Sequence, residues 1–393
     1  MSVVASPRRT GEIRLAQLPP LSLYVHIPWC IRKCPYCDFN SHESRDAIPE
    51  QRYVDALIAD LEQSLPLVWG RRVHSVFFGG GTPSLFSPAA IDRFLSSARA
   101  LLPIEADAEI TLEANPGTFE AGKFAAFRAL GINRLSIGIQ SFDADRLRAI
   151  GRVHDDREAH RAVDIARASF DNFNLDLMYA LPGQTLGQAL ADVEQAIAAG
   201  APHVSAYHLT IEPNTLFHRH PPPLPDDDTA ADMQIAIESR LGVAGFGHYE
   251  TSAFARPGRN CRHNGNYWLF GDYLGIGAGA HGKVSLRDRI IRQMKQRHPR
   301  DFMDKALAGD AVQTTQDVSA ADLPFEFMMN ALRLTDGFAL SAFVERTGLP
   351  VTVIASRLDA AERQGLIARD HLRVWPTERG RRFLNDLLQG FLA

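Results

Sequence analysis

Cys30, Cys34 and Cys37 form a Cys-x3-Cys-x2-Cys run and are three of only four cysteines in 393 residues. Thiols this close chelate zinc, pair as a disulfide or hold an iron–sulfur cluster, and each use makes its own demand on spacing and on a fourth ligand. A structural zinc site needs that fourth ligand at finger or ribbon spacing, whereas Cys261 is remote and only His42 continues the run. Zinc is therefore the weaker reading. Three cysteines around a four-iron cluster leave one iron open, and an open iron binds a small molecule. Cys261, standing alone, reads as a small buried hydrophobe outside the cluster.

A second stretch with chemical capacity is Gly79-Gly80-Gly81-Thr82-Pro83, which follows the strand pattern Val73 to Phe78. Glycines at a strand end let a ligand approach backbone carbonyls that accept from an ammonium group. A third is Arg262-His263-Asn264-Gly265-Asn266-Tyr267-Trp268, where an imidazole able to ligate haem iron stands beside two flat aromatic faces. Gly277-Ala-Gly-Ala-His-Gly282 matches the dinucleotide fingerprint by letter. No helix or acidic second strand follows it, so it reads as a close-packed turn.

The elements around these stretches alternate. Strands are expected at Leu21 to Ile27, Val73 to Phe78, Glu109 to Glu113, Arg134 to Ile139, Phe173 to Met178 and His203 to Leu209, with helical segments between them. Ser87-Pro88 reads as an N-cap with proline in the first helical position, and Thr118 as the cap of the next helix. Six alternations predict a parallel sheet. The cysteines, the glycine turn, Glu113 and Gln140 all fall late in, or just after, successive strands, which is the face where barrels build their sites. A last barrel strand is expected near residues 248–255, after an acidic, proline-rich connection at 221–228.

Composition sets outer bounds. A hydrophobic fraction of 45% and a charged fraction of 22% are ordinary for a globular protein, and no apolar run is long enough for a signal peptide or a membrane span. Cytoplasmic placement is expected, because so few cysteines form no disulfide framework and an oxygen-sensitive cluster needs a reducing compartment. A net charge of −4, from 42 basic and 46 acidic residues, gives no general attraction to nucleic acid. From Val318 onward, short helices and a hairpin read as a winged helix. Nine arginines there balance nine acidic residues, so a lid or docking role is expected rather than phosphate binding.

The cysteine spacing, with Tyr36 just before the last cysteine, resembles the signature of the radical S-adenosylmethionine superfamily. The resemblance implies a 4Fe–4S cluster on Cys30, Cys34 and Cys37, with S-adenosylmethionine on the open iron. It implies a partial (β/α)6 TIM-like barrel over residues 21–285, preceded by an N-terminal tail (1–20) and followed by linker helices (286–317) and a C-terminal winged-helix-like α+β domain (318–393). It also implies cofactor contacts from Tyr24, Tyr36, Gly79, Gly80, Gly81, Thr82, Glu113, Gln140, Arg152 and Asp176, with Arg152 suited to pair a carboxylate.

Tyr24-Val-His-Ile-Pro28, the glycine turn, Leu181-Pro-Gly-Gln184 and Gly275 to Gly282 together look like the oxygen-independent coproporphyrinogen III oxidase family, over almost the whole chain. The oxidases carry a fourth cysteine two residues after the third, and here that position is Phe39. The family's haem-chaperone branch lacks that cysteine and carries His-Asn-x-x-Tyr-Trp, matched at His263, Asn264, Tyr267 and Trp268. The resemblance thus implies a haem carrier with His263 as a haem ligand. Its partners would be haem, haem-acceptor proteins including ones at a membrane, and an electron donor, with no nucleic acid. The alternative is the oxidase itself, decarboxylating porphyrinogen propionates.

Overall fold

A computed structural model describes residues 13–392 except Arg45 and Phe119. Seven parallel strands organise it: β1 (Leu21–Ile27), β2 (Val73–Gly80), β3 (Ile104–Ala114), β4 (Arg134–Gln140), β5 (Phe173–Tyr179), β6 (His203–His208) and β7 (Asp272–Ile276). Six of them match the expected alternation, in the order β1 to β6. The seventh pairs with the free side of β1, with Leu21 opposite Asp272 and Val25 opposite Ile276. Nearly every residue of β1 is buried, as befits a strand covered on both faces.

Antiparallel strands extend both ends of this sheet. Ala253–Ala255 and Gly247–Glu250 follow β6, where the sequence suggested one strand. His281–Ser285, Ile290–Lys295 and Val312–Asp317 follow β7. The expectation of linker helices over 286–317 is therefore corrected: the segment holds two strands, with a single helix at Pro299–Leu307 between them. The physical reason lies in Lys295, whose buried ammonium donates to Asp60 Oδ1 (2.6 Å) and Ser64 Oγ (3.1 Å) on helix Glu50–Val68, fastening this hairpin to the barrel.

Helix ends follow the local rules in most places. Ser87 Oγ accepts from Ala90 N with Pro88 in the first turn, and Thr185 forms a capping box with Gln188. Thr118 does not cap: it lies in a short 3-10 turn, its hydroxyl donates to Asn115 O, and Glu120 occupies the N-cap of helix Ala121–Ala129.

The C-terminal part has its own core, in which Phe327, Phe338, Phe343, Leu358 and Val374 pack together. Helices Leu323–Ala331, Leu340–Thr347 and Ala355–Arg363 stand against a small sheet of Phe338–Ala339, Arg373–Pro376 and Ile367–Arg369. The expected N-terminal tail falls partly outside the described residues. Its remainder is not free: Leu15 is buried in this second core, and its N–H donates to Arg287 O.

Candidate functional site

The cysteine loop leaves β1 at Pro28 and returns at His42, where Trp29–Cys30 pairs with His42–Glu43. Asn40 fixes the loop against the sheet: its amide donates to Ala278 O (2.9 Å) and Arg297 O (2.8 Å), and its carbonyl meets His26 Nε2 (2.9 Å). Lys33 Nζ donates to Phe39 O and Ser41 O across the loop. Each thiol has a polar neighbour at 3.6 Å: Thr82 Oγ1 at Cys30, Arg152 Nη1 at Cys34 and Ser41 Oγ at Cys37. Burial pushes the Cys30 thiol up to about 11, with the Thr82 hydroxyl opposing it. Deprotonation there accompanies metal binding.

All three cysteines line one cavity of about 390 Å³, which also takes in Tyr36, Gly80 and Gly81. Glu113 and Gln140 from the ends of β3 and β4, Asp176 from the middle of β5, and Arg152 from the turn after helix Ala144–Ala149 line the same space. The sequence-derived set is thus largely brought together. A 4Fe–4S cluster fits this donor set, since each thiolate takes a different iron and a hydrogen-bond donor at each sulfur stabilises its negative charge. Among the described residues no three His, Cys, Asp or Glu side chains converge as one shared ion would require.

The glycine turn is needed for close approach. Gly80 has φ +116°, and a Cβ there would meet the His26 ring at 2.5 Å. One on Gly81 would meet Trp29 O at the same distance. Its N–H groups are taken up: Gly80 N donates to Glu113 Oε2, Gly81 N to Ile27 O and Thr82 N to Trp29 O. Only carbonyls remain for an ammonium. Gln140, a non-glycine residue at φ +68°, sits at the strained end of β4 and lines the cavity. Burial and the neighbouring Asp176 raise the Glu113 carboxyl to about 8. Asp176 is also raised by burial, while accepting from Ser136 Oγ and Asn174 Nδ2.

Four expected residues stand differently. Thr82 reaches Cys30 from a side cavity shared with Cys34 and Arg152. Gly79 is packed among Phe77, Tyr24 and Glu113 rather than lining the large cavity. Arg152 is not a free carboxylate fork, because Nη2 already donates to Asn115 Oδ1 (2.7 Å) and Gly138 O (2.6 Å) while Nη1 meets Cys34. It ties the cysteine loop to the ends of β3 and β4. Tyr24 lies in the barrel interior, with its hydroxyl 2.9 Å from His26 Nδ1.

His263 is the larger departure. It sits 1% exposed on helix Arg262–Trp268, stacked on Phe77 at 4.9 Å between ring centroids, and borders a separate chamber of about 190 Å³. Pockets for drug-sized ligands run from about 300 to 1,000 Å³, so a porphyrin does not fit there. The expectation that His263 ligates haem iron is corrected for this arrangement. Cys261 stays outside the cluster as expected: its sulfur caps this helix and bonds Glu109. Sequence reading missed Asn40, Ser41 and Asn115. The run Glu113-Ala-Asn-Pro, a polar side chain just past a strand end, was a signal for Asn115.

A parallel partial barrel with three spaced thiols on the loop after its first strand, facing a cavity lined by residues of the next strands, defines a radical S-adenosylmethionine protein. The Radical SAM superfamily model matches residues 24–196 and the HemN C-terminal domain model matches residues 318–383. Heme chaperone HemW of Escherichia coli (strain K12) is 50% identical over 383 residues, 96% of this chain and 100% of that protein. Heme chaperone HemW of Mycobacterium tuberculosis (strain H37Rv) is 34% identical over 96% of this chain and 97% of its own length. The solved coproporphyrinogen III oxidase HemN of Escherichia coli, a radical SAM enzyme, superposes with a TM-score of 0.81 at 24% identity, covering 95% of this chain and 90% of that one. That likeness establishes the fold. The chain belongs to the HemW family of haem chaperones.

Proposed function

We propose that this protein is a haem chaperone that carries a 4Fe–4S cluster on Cys30, Cys34 and Cys37, binds S-adenosylmethionine beside it, binds haem, and passes the haem to an acceptor protein. The observation that carries the proposal is the shared cavity, in which three thiols with a donor apiece face Glu113, Gln140 and Asp176. When bound, the reduced cluster supplies one electron to the sulfonium of S-adenosylmethionine. The chain's own part is positional. The carbonyls of Gly80 and Gly81 would accept from the ammonium of S-adenosylmethionine, Glu113 and Asp176 would accept from hydroxyls or an ammonium, and Arg152 holds the loop.

Phe39 separates this reading from the oxidase. It is 64% exposed at the cavity edge, where the oxidases have a thiol, and a phenyl ring neither donates a proton nor binds a polar group. With Tyr207, 40% exposed, and Met178, it gives the cavity mouth an apolar rim. We infer that haem docks at this mouth. Acceptors at a membrane and an electron donor complete the proposal, and a reducing cytoplasmic setting is in keeping with four free cysteines. No described helix is long and apolar enough to cross a membrane.

Anaerobic reconstitution followed by haem titration and a turnover assay on coproporphyrinogen III tests it. Stoichiometric haem with no decarboxylated product is expected. Decarboxylated porphyrinogen without haem binding would favour the oxidase.

A further inference from the structure

The smaller chamber lies toward the N-terminal ends of β4, β5 and β6, where Arg134, Asn174 and His203 enter the barrel. Its other polar groups are largely accounted for. His203 bonds Asn174 Oδ1 (2.6 Å) and Tyr249 OH (2.8 Å), and Asp176 accepts from Ser136 and Asn174. Among the described lining residues, two buried polar atoms have no hydrogen bond: Arg134 Nε and His263 Nε2. Arg134 is 2% exposed, and among the described residues its Nε has no hydrogen-bond partner. Of the two carboxylates that act on it, Glu109 is already bonded by the N–H groups of Arg262 and His263, and Asp176 by Ser136 and Asn174. Glu109 and Asp176 lie close enough to favour its charge without bonding it, and a buried guanidinium with no hydrogen bond of its own is costly.

His263 adds a second donor, because its tautomer is set by a chain of hydrogen bonds. Asn266 Nδ2 donates to Asp272 O (2.8 Å), which identifies it as the amide nitrogen, and to Ser22 Oγ (2.9 Å). Ser22, already accepting from Asn266, is left to donate to Ser75 Oγ at 2.7 Å, and Ser75 then donates to His263 Nδ1 at 3.0 Å. With each hydroxyl proton passed along, Nδ1 accepts and Nε2 carries the hydrogen. The imidazole is neutral, since burial, with His74 and Arg134 nearby, lowers it to about 3. An Nε2–H imidazole is a donor and offers no lone pair to iron at that nitrogen.

We propose that this chamber is a binding site for a carboxylate, held by the Arg134 guanidinium and the His263 Nε2–H. Guanidinium and carboxylate match as planar, two-point partners. At about 190 Å³ the chamber holds on the order of six water volumes, room for a carboxylate on a short tail. Glu113, Ser136, Asp176 and Tyr207 line both this chamber and the cluster cavity, so the two spaces are neighbours across these four side chains. The carboxylate is thus either a small free acid or a propionate of a porphyrin docked above. The second source rests on the haem-chaperone reading, and the first does not.

The test uses the full, cluster-reconstituted chain under anaerobic conditions. Acetate is titrated calorimetrically, and haem binding is compared with binding of haem dimethyl ester, with and without acetate. A free acid as the source gives saturable acetate binding, no competition with haem, and equal binding of haem and its ester. A propionate source gives an ester that binds at least tenfold more weakly than haem, with acetate competing. In either case Arg134→Met abolishes the effect, and Arg134→Lys, which keeps the charge but loses the fork, retains part of it. If these variants do not fold, the wild-type comparisons alone decide. Absence of both acetate binding and ester discrimination, with the chamber holding water only, overturns the proposal. Failure to bind haem at all defeats the chaperone reading while leaving the acetate result to judge the chamber.

Discussion

Gly80→Ala probes how the end of β2 holds the cysteine loop in register. Gly80 has φ +116°, and an added Cβ would lie 2.5 to 2.7 Å from three atoms of the His26 ring. The backbone conformation costs a residue with a side chain about 1–3 kcal/mol. Relief of the overlap displaces the ring, which gives up its bonds to Tyr24 OH and Asn40 O, both 2.9 Å. At roughly 1 kcal/mol each, the total reaches about 3–5 kcal/mol. The cost concentrates on the loop, because Asn40 is its link to the sheet. Against a global stability of about 5–15 kcal/mol, the barrel persists while the loop opens more often. The control is Gly117→Ala, where a Cβ meets nothing within 4 Å, and a change within about 0.5 kcal/mol is expected. Both variants are reconstituted anaerobically, unfolded in urea, and exposed to an iron chelator while the visible absorbance is followed. Gly80→Ala should lose iron on the order of tenfold faster or more, since about 1.4 kcal/mol is already a factor of ten. Iron retention equal to wild type and to Gly117→Ala would refute the reasoning.

Replacing Cys30, Cys34 and Cys37 together by alanine should leave the chain folded and without cluster iron after anaerobic reconstitution, measured by iron assay and the reduced-state paramagnetic signal; retained stoichiometric iron would count against them as ligands. Lys295→Met should destabilise the chain by about 3–5 kcal/mol in urea unfolding, because it leaves Asp60 buried without its cation, and a small change would mean that Gly277 N alone satisfies that carboxylate. His263→Ala should leave the Soret band of bound haem unchanged in shape, since the imidazole is enclosed; a loss of the axial-ligand spectrum would restore His263 to the iron. Glu113 is raised to about 8 by burial and Asp176, so the folded chain binds a proton that the unfolded chain releases near pH 4.5. That stability is present below about pH 4.5 and is lost as pH rises toward 8, with a slope of at most about 1.4 kcal/mol per pH unit from this group. Glu113→Gln should flatten stability against pH across that window, and an unchanged slope would contradict the assigned shift.

Local chemistry made part of the molecule readable in advance. The cysteine spacing, the glycines after β2, Ser87-Pro88 and six strand-and-helix alternations are short-range signals, and the structure places them where their types require. Phe39 was legible as a departure from the oxidase pattern before any coordinate was known. What the sequence left undecided depended on partners far away in the chain. The segment from Ile290 to Lys295 is rich in residues that suit a helix, and it becomes a strand because an open sheet edge and the buried carboxylate of Asp60 take it up. β7 joins β1 across some 250 residues, a pairing that no local period announces. Arg152 looked like a free clamp, yet Asn115, just past the end of β3, and Gly138 of β4 occupy it. His263 beside two aromatics looked like an open haem ligand. Packing of its helix against β1 and β2 buries it instead, and the run Asn266, Ser22, Ser75 fixes its proton. Residue types and spacing set which groups are available; only the closing of distant strands decides which of those groups are already satisfied and which still face a cavity with a bond to make.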